Sequence, residues 1–232
     1  MARAMGYVNA ALTAGTEVAV NGTAYAEQTS GAQRSIKSSS ANDAAAGTGA
    51  RTVRLVFYTL DASGNIQGPY TEILTLNGTT AVPTVNTNIA LIDRLEVLTV
   101  GSGLVAAGAL SLYTDNAGAG SVICSVAAGD RRTYMGHAYV PTSRVLTITD
   151  VTVESGEATT VQTLFNLRSL AYGNSANGEQ IMTNALSAQG LNGTRSISNP
   201  LRVAGPARVQ MYATPGATAT ATVRGEFGYY LS

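Results

Sequence analysis

The sequence predicts an all-β protein built as an antiparallel β-sandwich, and three observations carry that prediction. Short runs rich in Val, Ile, Leu, Thr and Tyr recur along the 232 residues. They are separated by Gly, Asn, Asp and Ser at the short intervals that hairpin turns need. No stretch joins helix caps to a sustained 3.6-residue period. Strands and turns at this spacing make a sandwich or barrel and not a βαβ protein.

The elements follow in order. Residues 51–60 (RTVRLVFYTL) are β-branched and aromatic and read as a strand. The segment 61–65 (DASGN) is turn chemistry, and 70–76 (YTEILTL) alternates as the partner strand. Asn77-Gly78 is a strong hairpin signal, because both residues tolerate positive φ. Residues 80–85 form a short strand interrupted at Pro83; 89–100 is ambiguous in period, with a strand-like tail at 95–100. After Gly101-Ser102-Gly103 come strands at 109–113 and 121–127 around Asp115-Asn116-Ala117-Gly118, then 133–140, ended by Pro141. Residues 144–154 alternate, with Val145, Thr147, Thr149, Val151 and Val153 expected on one side. Strands at 159–170, 202–203, 207–213 and 217–227 complete the series.

Two segments lack large apolar anchors: 13–49 and 172–199. Long loops of this kind are held by a partner or are disordered. The expectation is a partner, with an N-terminal arm at 1–37, a long loop near 171–200, and a sandwich domain at 38–232 with a possible sub-boundary near Gly129-Asp130.

Composition narrows the function classes. Charged residues are 12% and balanced at 14 of each sign, giving little electrostatic pull on nucleic acid or anionic membrane. Low charge also means little repulsion between copies at high density. Lys37 is the lone lysine; arginine, with its planar fork, suits subunit interfaces. Cys124 is the single cysteine, so no intrachain disulfide forms, and a strand-buried thiol is expected. No run of about 18 apolar residues is present, and the N-terminus does not read as a signal peptide.

Three stretches resemble a family of tailed-phage virion structural proteins. Residues 38–60 (SSSANDAAAGTGARTVRLVFYTL) carry the most specific motif, a small polar segment leading into an R-T-V strand. Residues 61–76 with 79–92 supply a D-x-x-G-N turn, a T-E-x-x-x-L-N-G segment and a V-x-T segment. Residues 137–153 enter through A-Y-V-P and continue with alternating Thr, Ile and Val; 217–231 close the chain. The resemblance implies a jelly-roll-like sandwich that acts as a capsid cement or decoration protein, often a homotrimer, located in the virion and made in the host bacterial cytoplasm. Its implied partners are the major capsid protein or other virion subunits, with no nucleic acid, membrane or cofactor. The resemblance offers no catalytic residues.

Catalytic and metal chemistry find little support in the residues. A Ser-His-Asp or Cys-His site needs a histidine, and His137, the single one, lies in a predicted strand with no nucleophile motif nearby. One Cys and one His cannot complete a zinc site. The Asp61–Gly68 loop echoes part of an EF-hand but lacks the later bidentate Glu, so a hairpin turn is expected. Gly47-Thr48-Gly49 and Gly101-Ser102-Gly103 lack the ending of a phosphate loop. Glu154 and Glu157 flank Gly156 and read as turn charges. Asn21, Asn77 and Asn192 each begin Asn-Gly-Thr, where the turn meaning prevails.

The leading expectation is therefore a non-enzymatic particle-stabilising protein. Its interface is expected at 1–50 and 171–200, with Arg34, Arg51, Arg131 and Arg132 as anchors. The alternative is a tail, neck or fibre module binding a receptor or glycan through an aromatic cleft of Tyr172, Tyr212, Tyr229 or Tyr230. A hydrolase dependent on His137 ranks last.

Overall fold

The computed structural model describes residues 2–21, 24–155, 162–172, 180–181, 186–189, 193–217 and 219–232. In chain order the strands are β1 (Ala2–Leu12), β2 (Val18–Ala19), β3 (Ser35–Ser38), β4 (Ala50–Leu60), β5 (Ile66–Thr75), β6 (Val82–Pro83), β7 (Leu91–Val100), β8 (Leu110–Tyr113) and β9 (Val122–Val126). Then follow β10 (His137–Val140), β11 (Val145–Ser155), β12 (Gln162–Ala171), β13 (Gln180–Ile181), β14 (Leu186–Gln189), β15 (Gly193–Ala204), β16 (Ala207–Thr214) and β17 (Ala219–Leu231). Among the described residues all strand pairs are antiparallel. The chain divides into two compact units, Met1–Gly22 with Tyr134–Ser232, and Thr23–Thr133.

The first unit has sheets ordered β1-β17-β11-β15 and β10-β16-β12-β13, with β14 also on β12 and β2 on β16. Its pairs nest: β1 with β17, β10 with β16, β11 with β15, β12 with β14. Such nesting is a long hairpin whose rungs alternate between two sheets, which is the jelly-roll topology. Ala138, Val140, Phe165, Leu167, Val209 and Met211 of one sheet share an apolar core with Leu146, Ile148, Val151, Val153, Val223 and Phe227 of the other. The second unit enters between the first rung and the next, so it is an insert in the connection from the β1–β2 segment to β10.

The site of insertion is narrow. Gly136 donates to the Met5 carbonyl, Met211 to the Gly136 carbonyl, and Val20 to the Met211 carbonyl. A Cβ on Gly6 would stand 1.8 Å from the Val20 carbonyl oxygen, and one on Gly136, whose φ is +57°, would stand 2.4 Å from it. Two glycines are needed for three backbones to meet there.

The insert holds two further sheets, β6-β3-β8-β9 and β5-β4-β7. Ile36, Leu110, Leu112, Ile123, Cys124 and Val126 are buried from the one, and Val53, Leu55, Phe57, Leu74 and Leu95 from the other. The DASGN turn closes the β4–β5 hairpin as expected: Asp61 accepts from the Ser63 and Asn65 amides, and Gly64 has φ +79°.

Several sequence expectations need correction. Residues 1–37 are not an arm: β1 pairs with β17 at every position from Ala2 to Leu12, and β2 and β3 are sheet strands. The Ala and Gly content of β1 hid it, because a strand clamped by a long partner needs no large side chains of its own. Residues 38–232 are not one sandwich, since the described boundaries fall at 22/23 and 133/134, the latter close to the expected break at Gly129-Asp130. The loop near 171–200 contains β13, β14 and the start of β15; 173–179, 182–185 and 190–192 lie outside the described residues. The alternation at 145–153 also breaks. A bulge between Ile148 and Asp150 shifts the phase, so Leu146, Ile148, Val151 and Val153 face the core while Thr147 and Thr149 do not share their face. Finally, Asn77-Gly78 makes a turn, with Gly78 at φ +60°, but it leads from β5 into β6 of the other sheet and closes no hairpin between neighbours.

Candidate interaction surfaces

The four expected anchor arginines have different local partners and form no cluster. Arg34 is buried at 3% exposure and donates to the carbonyls of Ile89 (2.9 Å), Thr114 (2.7 Å) and Ser30 (2.9 Å). Burial pulls its pKa down, with Tyr25 opposing. Its work is to tie three loops of the insert together, so it is corrected from interface anchor to internal clamp. Arg51 is half-buried and donates Nε–H to the Gly47 carbonyl at 3.0 Å. Exposed Arg131 and half-buried Arg132 run beside β7: the Val97 amide donates to the Arg131 carbonyl, and the Arg132 backbone stands opposite that of Glu96 in an isolated antiparallel bridge.

The motif at 38–50 folds around one buried carboxylate that the sequence reading did not single out. Asp43, fully buried, accepts from the Ser38 hydroxyl at 2.5 Å and from the amides of Ala50 (2.6 Å), Ala107 (2.9 Å) and Gly108 (2.8 Å). Buried polar groups are tolerated when satisfied in this way. The small residues follow from the crowding: a Cβ on Gly49 would sit 2.1 Å from the Asp43 Oδ1, and one on Gly101 2.2 Å from the Gly47 carbonyl oxygen. Gly101 and Gly103 donate to the Gly49 and Thr48 carbonyls, zipping the two loops. The zipped platform presents Leu104 at 67% exposure with φ +63°, and Val105 beside it. A left-handed leucine is held only where surroundings overdetermine it. The glycine pattern and an aspartate amid small residues were the available signal for this platform.

Aromatic faces are largely taken. The Arg168 guanidinium lies 4.8 Å over the Tyr212 ring and pairs with Glu17. Tyr172 meets Tyr139 edge-on at 6.2 Å, and Tyr229 is buried against Phe227. Tyr230 is exposed on β17. The four expected tyrosines thus lie in separate settings and form no common cleft. His137 is buried on β10 with its ring edge-on to Tyr139 at 5.1 Å. Among the described residues no group of three or more His, Cys, Asp or Glu is placed to hold a metal ion. The Asp61 oxygens are taken up by the Ser63, Asn65 and Gln67 donors, the Asn65 side-chain bond first among those that lower its pKa. Glu154 pairs with Arg224; Glu157 lies outside the described residues. No helix is long and apolar enough to cross a membrane among the described residues.

No protein-family model matches the chain, and no curated protein matches it. Among solved structures, a chain of infectious bursal disease virus Gx strain aligns over 98% of this chain and 70% of its own, at 10% identity and a TM-score of 0.30. A chain of the Gt strain aligns over 99% and 76%, at 11% identity and a TM-score of 0.17. Superpositions of this quality establish no common fold.

Proposed function

We propose that this chain is a structural protein of a tailed-phage particle, of the capsid cement or decoration kind, which stabilises the head by subunit–subunit contacts. The observation that carries the reading is the jelly-roll topology of the first unit with its core filled by apolar side chains. Jelly rolls serve viral capsids, lectins and cupins, so the fold alone does not choose among them. The core shared by the first unit's two sheets is filled by Ala, Val, Leu, Ile, Phe and Met with Tyr229, and the buried polar residues of this unit among those described are His137, Thr147, Thr163 and Gln210. The tyrosines engaged by Arg168, Phe227 and Tyr139 argue against a sugar-stacking cleft, so the receptor-binding tail, neck or fibre reading gains no support. What remains is assembly, for which the insert supplies rigid loop platforms and a chain of low, balanced charge supplies compatibility with close neighbours.

Under this reading the partners are the major capsid protein and further copies of this chain, with a trimer as the expected assembly, and the site of action is the capsid surface. The test is add-back to heads that lack the protein. Binding in a fixed stoichiometry, with genome release moved to higher temperature, is the expected result. Heads that neither bind the protein nor gain heat resistance would refute it.

A further inference from the structure

We infer that the open edge of β5 is a self-pairing surface, where two copies of this chain join antiparallel along residues 71–75 about a two-fold axis at Ile73. The inference stands on the edge itself and goes beyond the virion reading, because it does not depend on where the protein works.

The outward groups follow from register. The Leu76 amide donates to the Arg51 carbonyl at 2.9 Å, which makes Arg51 and Leu76 a hydrogen-bonded pair of the β4–β5 ladder. In an antiparallel ladder such pairs alternate with pairs whose N–H and C=O groups point away. Leu74 and Glu72 therefore bond to β4, while Thr71, Ile73 and Thr75 turn their backbone groups to the other side. Among the described residues nothing pairs with them, and all three are exposed, Ile73 at 62%.

The other edges of the insert are treated differently. Along β7, Val97 donates to Arg131 and Thr133 to Leu95, so the 131–133 segment covers that side. Along β9, the Ala26 amide donates to the Ile123 carbonyl. β6 is two residues long. Natural edges are usually blunted by lysine, proline, a bulge or a charge. Between 71 and 75 β5 has no lysine, proline or bulge, and its one charge, Glu72, is engaged by the Val85 and Asn86 amides; Pro69 precedes the stretch, and the register shift with β4 lies at Phe57/Thr59.

The occupant is fixed by the palindrome Thr71-x-Ile73-x-Thr75. About an axis at Ile73, each Ile73 faces its copy and each Thr71 faces a Thr75, and every facing pair exchanges both backbone hydrogen bonds. Thr–Thr and β-branched pairs are favourable across strands. Glu72, the one charge in the stretch, would face Leu74, so no like charges oppose. Its carboxylate is already held by the Val85 and Asn86 amides at 2.6 and 3.1 Å.

Sedimentation of the full chain tests this, with Ile73→Pro and Ile73→Lys as variants. Neither change touches a hydrogen bond to β4, because the Ile73 amide points outward. The wild type should sediment as a dimer, or as a pair of trimers where the trimer also forms, and both variants should halve its mass while keeping the circular-dichroism spectrum. A third variant, Ile73→Cys, should oxidise to a covalent pair, since facing residues of a hydrogen-bonded pair stand about 5.5 Å apart at Cα, within disulfide reach. Leu98→Cys on β7 is the control and should not link. A wild type that is monomeric at every concentration, an unchanged mass in both variants, no link at position 73 beyond the control, or a monomer that takes up a strand of another protein at this edge would each overturn the inference.

Discussion

The jelly-roll unit and the insert solve the same problem with different means. In the first, strands of ten or more residues such as β1, β11 and β17 run in long register and bury a continuous apolar core. The insert joins strands of similar length, β4, β5 and β7, to β3, β8 and β9 of only four or five residues, with long loops between them. There buried polar groups add to the apolar core and hold the loops: Asp43 gathers the amides of two loops, and Arg34 gathers the carbonyls of three. Short strands bury too little apolar surface to fix their loops, whereas a satisfied buried polar group fixes a loop at a defined point. The zipped loop platform and the open edge of β5 both belong to the insert.

The largest effect should come from the jelly-roll core. Phe227→Ala removes a fully buried ring and should cost about 4 kcal/mol in denaturant unfolding. An unchanged midpoint would mean that long strand register, and not the core, carries this unit. Next comes the insert. Asp43→Ala strands the Ala50, Ala107 and Gly108 amides and should cost about 3 kcal/mol, with hydrogen exchange rising first at 101–108. Exchange rising equally throughout the insert would erase the distinction between point anchors and a diffuse core.

Alkaline pH separates the units by a different handle. Burial pushes the Cys124 thiol on β9 from 9.0 up to about 12. The folded state keeps its proton where the unfolded chain has lost it, so this contribution is intact below pH 9 and drains away between about pH 9 and 12. The difference between wild type and Cys124→Ala should change by at most about 1.4 kcal/mol per pH unit in that window. A native thiol that reacts with a disulfide reagent as fast as the unfolded one at pH 8 would contradict the burial. The smallest effect should be a gain. Thr147, buried on β11, has a hydroxyl without a hydrogen-bond partner among the described residues. Thr147→Val should add about 1 kcal/mol, and a loss in thermal unfolding would show that the hydroxyl is satisfied.

Period, turn chemistry and composition determined a good deal by themselves. The strands at 51–60, 70–76, 109–113 and 121–127 lie within or close to β4, β5, β8 and β9, because alternation and Asx turns are local properties of the chain. The buried thiol of Cys124 was legible for the same reason. Tertiary structure alone decided the rest. β1 exists because β17 stands beside it; the phase of β11 turns on a one-residue bulge; Arg34 became a clamp because carbonyls from residues 30, 89 and 114 converge on it. Asp43 and the open edge of β5 belong to the same class. Each depends on which distant backbone groups are present or absent at one place, and a linear sequence does not encode that locally.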